Sequence, residues 1–142
     1  MVKRLRVFLD TNVIFSGLYS SSGAPNAILE AYLDKKVEIV ISRQILEEIV
    51  VTISQKKPEL LPTLYFFLEQ APFEIQSDIA IAEVNRWARI IDLPDAPILA
   101  AAIAAKPDYF VTGNTKHFSE NVAKKARLKI LTPSQFVKEL ER

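Results

Sequence analysis

Three acidic residues and one asparagine are placed where they could bind a metal ion. Each lies next to an apolar segment, or on the predicted helix that follows such a segment. They are Asp10, Glu47 or Glu48, Asp95 and Asn114. In an open parallel sheet, the loops beyond the carboxyl ends of neighbouring strands converge on one crevice. Carboxylates that converge there repel one another, which disfavours their ionisation, and a bound divalent cation offsets this repulsion. Mg²⁺ and Mn²⁺ prefer carboxylate, amide and water oxygens, so the pattern predicts a Mg²⁺ or Mn²⁺ site that activates water against a phosphodiester.

Each of these residues also has a plainer interpretation. Asp10 could simply start a loop by bonding its neighbouring backbone, and Asn114 could be a turn residue. Asp95 could be a helix cap. Glu47 and Glu48 flank the apolar stripe of their predicted helix, so periodicity cannot choose between them and either could be a solvated surface charge.

Strand-like and helix-like segments alternate along the chain. Strands are predicted over residues 5–9, 37–41, 73–75, 109–112 and 129–131. Helices are predicted over 24–34, after Ser42, over 64–68, from Asp78 past Trp87, over 98–105 and from Thr132 onward. Strands separated by helices predict a three-layer α/β/α fold with a central, mostly parallel sheet, formed by residues 1–142 as a single domain.

Composition narrows the class of protein. The 142 residues include no cysteine, which excludes disulfides and thiolate metal sites and fits a reducing cytoplasm. No apolar stretch approaches the roughly 18 residues of a membrane span, so we expect a cytoplasmic protein without a membrane partner. The net charge of +1 neither indicates nor excludes a nucleic-acid partner. Phosphate-binding glycine motifs are absent, which argues against a dinucleotide or P-loop nucleotide site.

Four segments, in this order, resemble the PIN-domain family of nucleases. They are LDTNV at 9–13, SRQILEEI at 42–49, DAPILAAA at 95–102, and VTGN at 111–114 with the residues through Phe118. The resemblance covers nearly the whole chain. It implies a Rossmann-like central parallel sheet, a Mg²⁺- or Mn²⁺-dependent acidic site and cleavage of single-stranded RNA. It further implies that the chain is the toxin half of a prokaryotic toxin–antitoxin pair, with an antitoxin protein as its partner. Because members of the family often form dimers, it also implies a possible homodimer.

The resemblance also assigns roles to individual residues. Asp10, Glu48 and Asp95 match the metal-binding carboxylates. Glu48 matches better than Glu47 because the family places this acid directly before an apolar residue. The supporting polar residues implied are Thr11, Asn12 and Thr112.

The last motif departs from the family pattern. Many members carry an aspartate where this chain has Asn114, and often another acid where His117 stands. An amide oxygen can ligate a cation but contributes no charge, so we expect a weaker second metal or a one-metal site. His117 and Lys116 are candidates for contact with the substrate.

A basic cluster around the last motif could follow a phosphate backbone beside the acidic crevice, although solvated surface lysines are the plainer explanation. Its members are Lys116, Lys124, Lys125, Arg127 and Lys129. Trp87 and the apolar residues of 64–68 carry enough apolar surface for a homodimer contact, or they form ordinary core.

Two other functions compete with a nuclease. One is a non-catalytic PIN domain that binds RNA or protein, which Asn114 favours. The other is a phosphotransfer enzyme or a receiver domain, with Asp10 as the phosphorylated residue. The common phosphatase pattern would place a second aspartate where this chain has Asn12.

Overall fold

A computed structural model describes residues 4–142. Its centre is a five-stranded sheet in the order β3-β2-β1-β4-β5, in which every pairing is parallel. Helices on the two faces of this sheet complete a three-layer α/β/α architecture, as the alternating segments predicted. The strands are β1 (Leu5–Leu9), β2 (Val37–Ser42), β3 (Glu74–Gln76), β4 (Tyr109–Val111) and β5 (Ile130–Leu131).

Eight α-helices connect and flank the described strands. They are α1 (Thr11–Tyr19), α2 (Ala24–Leu33), α3 (Arg43–Lys56), α4 (Leu61–Gln70), α5 (Ile81–Trp87), α6 (Ala96–Ala105), α7 (Glu120–Ala126) and α8 (Pro133–Leu140). Two short 3₁₀ turns, Pro58–Leu60 and Leu93–Asp95, precede α4 and α6.

The core centres on β1, whose last three residues are fully buried. Phe8 packs edge-on against Phe110 of β4, and Phe110 packs in the same way against Phe118. The alanine-rich α6 is buried on almost every side, which confirms the prediction of an internal helix. This packing fixes the end of β1, and therefore Asp10, against β4.

Two helices were not predicted. α1 begins immediately after β1, where Thr11 and Asn12 resemble loop residues, yet Val13, Ile14 and Gly17 form its buried stripe. α7 begins after Ser119, whose side chain accepts a hydrogen bond from a backbone N–H of the first turn. Both are short, so their apolar periodicity extends over too few residues to be distinctive.

One predicted cap and several element ends were wrong. α5 begins at Ile81 after Ala80 rather than at Asp78, whose carboxylate instead lies 3.7 Å from Nε of Arg43. β3 starts one residue later than predicted, and β4 ends at Val111. The predicted helix over 64–68 is the middle of the longer α4. Element ends are the least determined by local sequence, because neighbouring segments decide where hydrogen bonding stops.

The apolar residues of α4 divide between core and surface. Leu64 and Phe67 are buried, whereas Tyr65 and Phe66 are each 48% exposed. None of the described helices combines the length and hydropathy that crossing a bilayer would require.

Candidate metal centre

Asp10 is buried at the point where β1 passes into α1, with only 6% of its surface exposed. It occupies the N-cap position and accepts hydrogen bonds from the Thr11 backbone N–H at 2.8 Å, the Thr112 hydroxyl at 2.7 Å and the Asn12 amide at 3.2 Å. Burial raises the pKa of Asp10, while these three hydrogen bonds favour the charged form. Asp10 therefore caps α1 through Oδ1, while its Oδ2 accepts hydrogen bonds from the side chains of Asn12 and Thr112.

The loop after β4 is tied to the first turn of α1. The Asn12 side-chain oxygen accepts a 3.0 Å hydrogen bond from the Gly113 backbone N–H. A Cβ on Gly113 would lie 3.3 Å from that oxygen, so glycine allows the close approach. The Thr112 hydroxyl in turn accepts from the Asn114 backbone N–H at 2.9 Å. The predicted supporting residues Asn12 and Thr112 thus orient both Asp10 and the loop beside it.

The fold distinguishes Glu48 from Glu47. α3 leaves Glu47 exposed and turns Glu48 into a half-buried position. Burial raises the pKa of Glu48, and the negative charges of Asp10 and Asp95 raise it further. These charge interactions indicate that the three carboxylates lie near one another.

One oxygen in this crevice has no partner. Within residues 4–142, the buried Oε1 of Glu48 accepts no hydrogen bond. A buried carboxylate oxygen without a donor is costly, and the neighbouring acids increase the cost. A divalent cation would satisfy this oxygen and neutralise the charge, so the residues present fit a bound Mg²⁺ or Mn²⁺.

Asp95 ends the 3₁₀ turn Leu93–Asp95 and stands at the N-cap position of α6, but its side chain makes no capping hydrogen bond. Its Oδ2 instead lies 2.7 Å from Nδ1 of His117. Asp92 completes a group in which one ligand atom from each residue lies within 4.8 Å of the others. The geometry does not support the plainer interpretation of Asp95 as a helix cap.

Asp92 was missed by the sequence reasoning. Its only signal was its spacing of three residues from Asp95, and that spacing is common on surfaces. What distinguishes Asp92 is that the fold brings one of its carboxylate oxygens within 4.8 Å of ligand atoms of Asp95 and His117.

Asn114 and Lys116 lie in the loop that carries His117. Asn114 is half-buried, and its side-chain oxygen accepts a long, 3.4 Å hydrogen bond from the His117 backbone N–H. Lys116 is exposed. Asn114 therefore shapes the loop in addition to any contact with a cation.

The basic cluster does not lie wholly beside the crevice. Arg127 and Lys129 precede β5, and the Lys129 ammonium lies 5.9 Å from the centre of the Tyr109 ring, at the start of β4. They are therefore at the amino end of the parallel strands, whereas Asp10 follows a carboxyl end. Within this basic cluster, Lys116 lies in the loop after β4, at the same end of the strands as Asp10.

Comparisons with known proteins agree with this fold. A family model described as the PIN domain matches residues 6–116. No curated protein sequence matches the chain significantly.

Several solved structures are similar to the chain over most of their length. The VapBC2 complex from Rickettsia felis bound to a promoter DNA fragment is 24% identical with a TM-score of 0.67, and the match covers 90% of this chain and 98% of that one. A toxin–antitoxin complex from Klebsiella pneumoniae is 25% identical with a TM-score of 0.61, covering 89% and 97%. PAE2754 from Pyrobaculum aerophilum is 14% identical with a TM-score of 0.62, covering 96% and 90%. These structures share the fold of this chain, and because the family model matches most of its length, the chain belongs to the PIN-domain family.

Proposed function

We propose that the chain is an endoribonuclease that uses Mg²⁺ or Mn²⁺ to cleave single-stranded RNA. The observation that supports this proposal is that Glu48, whose charge interacts with those of Asp10 and Asp95, has a buried oxygen without a partner among the described residues. Membership of a nuclease family supports a hydrolytic reaction. A bound cation would give this acidic crevice the positive charge that it needs to receive a phosphodiester.

The three carboxylates would hold the cation, with Asn114 as an uncharged additional ligand. A bound cation would supply an activated water and offset the negative charge of the phosphodiester. Thr11, Asn12 and Thr112 hold the Asp10 carboxylate in one orientation, because both of its oxygens accept hydrogen bonds from them. Lys116 is exposed on the adjoining loop and would contact a substrate phosphate.

Cleavage of a fluorescent single-stranded RNA by protein stripped of metal tests this function. We expect no cleavage with chelator, and cleavage when Mn²⁺ or Mg²⁺ is added. Asp10→Asn and Asp95→Asn keep the side-chain shape and remove the charge, so each should lower the rate by at least about 100-fold. Asp78→Asn is the matched control, because Asp78 is exposed and pairs only with Arg43 within the described chain. Equal rates for the parent and the two site variants would refute the proposal.

A protein partner follows from the same relationship. We propose that the chain is the toxin of a toxin–antitoxin pair, since similar structures include complexes of that kind. The antitoxin would bind the chain and cover or distort the crevice in the cytoplasm. Co-expression with the product of a neighbouring small gene should give a complex that copurifies and no longer cleaves RNA.

A homodimer is the second association that we propose, through the half-exposed Tyr65 and Phe66 of α4. Sedimentation at low micromolar concentration distinguishes a dimer from a monomer. Replacing both aromatic residues by serine should leave a monomer if this face is the contact.

The alternative function is a non-catalytic PIN domain that binds RNA or protein. Asn114 favours it, because its amide oxygen is engaged by the His117 backbone and adds no charge for a second cation. Calorimetric titration with Mn²⁺ separates the two functions. Absence of binding would favour the non-catalytic domain.

A further inference from the structure

A stacked pair of aromatic side chains lies on α1, the helix that begins after Asp10. The rings of Phe15 and Tyr19 have centroids 5.9 Å apart and planes inclined by 20°. Phe15 is partly buried against the core, whereas Tyr19 is 55% exposed. The folded chain therefore holds the Tyr19 ring against Phe15 and leaves more than half of this residue open to a ligand.

One face of α1 leads from this aromatic pair to the acidic crevice. Thr11, Phe15 and Tyr19 recur every four residues, so they lie on the same face of the helix. A helix rises about 1.5 Å per residue, which places Tyr19 about 12 Å along the axis from Thr11. Side chains on a helix lean towards its N-terminus, which for α1 is the end that Asp10 caps. A linear ligand that lay along this face would therefore reach the crevice.

A positive charge stands beside the exposed ring. Nζ of Lys57 lies 5.1 Å from the centre of the Tyr19 ring. Lys57 is the C-cap residue of α3, which packs against α1. The ammonium also pairs with Glu59, but that pair is long, at 3.8 Å, and its side chains are 40% and 65% exposed. Exposed pairs of this kind contribute little, so Lys57 could exchange Glu59 for a phosphate.

We propose that Phe15, Tyr19 and Lys57 form a base-stacking platform that binds single-stranded RNA beside the acidic crevice. An unpaired base would stack on the open part of the Tyr19 ring, and the Lys57 ammonium would move from the ring to the phosphate of that nucleotide. Proteins bind single strands through this combination of aromatic faces and cations. The inference rests on the proposed function, because the platform would hold the substrate of the same crevice.

The platform also gives a reason for a preference for single strands. Bases in an RNA duplex are paired and stacked on one another, whereas unpaired bases can turn outward onto an aromatic side chain. A stacking contact accepts every base, since each has a π face, so the platform would contribute affinity with little dependence on sequence.

A protein partner is the other occupant that an exposed aromatic residue could have. A protein contact would need the apolar bulk of Tyr19, but it would not need a π face. The cation beside the ring and the continuity of this face with the crevice favour RNA. The two occupants differ in how binding responds when an aliphatic side chain replaces the ring.

Fluorescence anisotropy with labelled oligoadenosine, in the presence of a chelator, measures binding without cleavage. We expect Tyr19→Phe to bind as tightly as the parent. Tyr19→Leu keeps apolar bulk without a π face and should bind about fivefold or more weakly. Oligouridine should bind the parent more weakly than oligoadenosine does, because a smaller base covers less of the ring.

The salt dependence of binding tests the role of Lys57. Each phosphate that a cation neutralises on a single strand adds about 0.7 to the slope of log affinity against log salt concentration. Lys57→Gln should lower the slope by about this amount. Lys138→Gln, at an exposed position on α8, should leave it unchanged.

Equal affinities of Tyr19→Leu and the parent for oligoadenosine, or no binding by the parent, would overturn the platform. It would also be overturned if Tyr19→Leu kept its affinity for RNA but no longer copurified with an antitoxin, since Tyr19 would then belong to a protein interface. An unchanged salt slope in Lys57→Gln would remove Lys57 from the platform and contradict the proposal as stated. Binding that depends on Tyr19, without cleavage when Mn²⁺ is added, would support the platform and refute the nuclease alone.

Discussion

The Thr112 hydroxyl donates a buried, 2.7 Å hydrogen bond to Oδ2 of Asp10, although the two residues are 102 positions apart in the chain. They meet because β1 and β4 are parallel neighbours with Leu9 opposite Val111. Asp10 and Thr112, which directly follow these two residues, therefore lie side by side. Thr112 also accepts from the Asn114 backbone N–H. One hydroxyl thus connects the first acid of the crevice to the loop that carries His117.

Thr112→Val tests this connection with little change in shape. The substitution removes the hydroxyl that donates to Asp10 and accepts from the Asn114 backbone N–H. We therefore expect the free energy of unfolding to fall by about 1–2 kcal/mol. The pKa of Asp10 should rise further, because the hydroxyl favours the charged form. Mn²⁺ binding requires the carboxylate and should therefore shift to higher pH in calorimetry. Thr115→Val, at an exposed position of the same loop, is the control, and an identical pH profile in both variants would count against the role of Thr112.

Glu48→Gln and Glu47→Gln form a matched pair on adjacent residues. Without metal, Glu48→Gln should stabilise the protein by on the order of 1 kcal/mol, since it removes a charge repelled by Asp10 and Asp95. That gain corresponds to a rise in Tm of about 3 °C. It should also remove most of the stabilisation that Mn²⁺ confers on the parent. The exposed Glu47 should show neither effect, and similar thermal shifts for the two variants would contradict the assignment of Glu48.

The stability of metal-free protein should fall as pH rises through the mildly acidic range. The folded-state pKa values of Asp10 and Glu48 are raised above the ordinary values of 3.8 and 4.5. The folded state therefore binds protons more tightly than the unfolded state in this range, and its stabilisation is lost as the pH passes through the raised pKa values. Urea unfolding at a series of pH values measures the slope.

The double variant Asp10→Asn/Glu48→Gln provides the control for that measurement. It lacks both titrating groups, so its slope should be much smaller than that of the parent. Saturating Mn²⁺ should reverse the trend in the parent, because the metal binds the deprotonated carboxylates. A parental slope in the double variant would show that other groups cause the pH dependence.

Asn114→Asp tests whether the missing acid limits the proposed nuclease. An added carboxylate should raise Mn²⁺ affinity by about tenfold, since it contributes charge where the amide contributes only an oxygen. RNA cleavage at limiting Mn²⁺ should increase in parallel, while metal-free protein should become less stable through repulsion within the crevice. Asn121→Asp, at an exposed position on α7, controls for the change in net charge. Unchanged affinity would mean that residue 114 is not a ligand.

Local sequence patterns predicted the central strands and the internal α6 because each has a distinctive apolar run. α1 was missed since its first turn is polar, and the cap of α5 was misplaced since Asp78 is a good local cap that the structure uses elsewhere. Periodicity left Glu47 and Glu48 equivalent. The packing of α3 against the sheet separates them by burying one and exposing the other.

The sequence by itself determined which acids stand at strand ends and helix starts, and hence that an acidic crevice should form at one edge of a parallel sheet. That information is local, because a strand end and its flanking polar residue are adjacent in the chain. Only the tertiary structure decided that Thr112 holds Asp10, that His117 contacts Asp95, and that Glu48 has a buried oxygen without a partner in the described chain. Both of these contacts join residues more than 20 positions apart. They depend on which strands pair and how helices pack, and no local pattern encodes either.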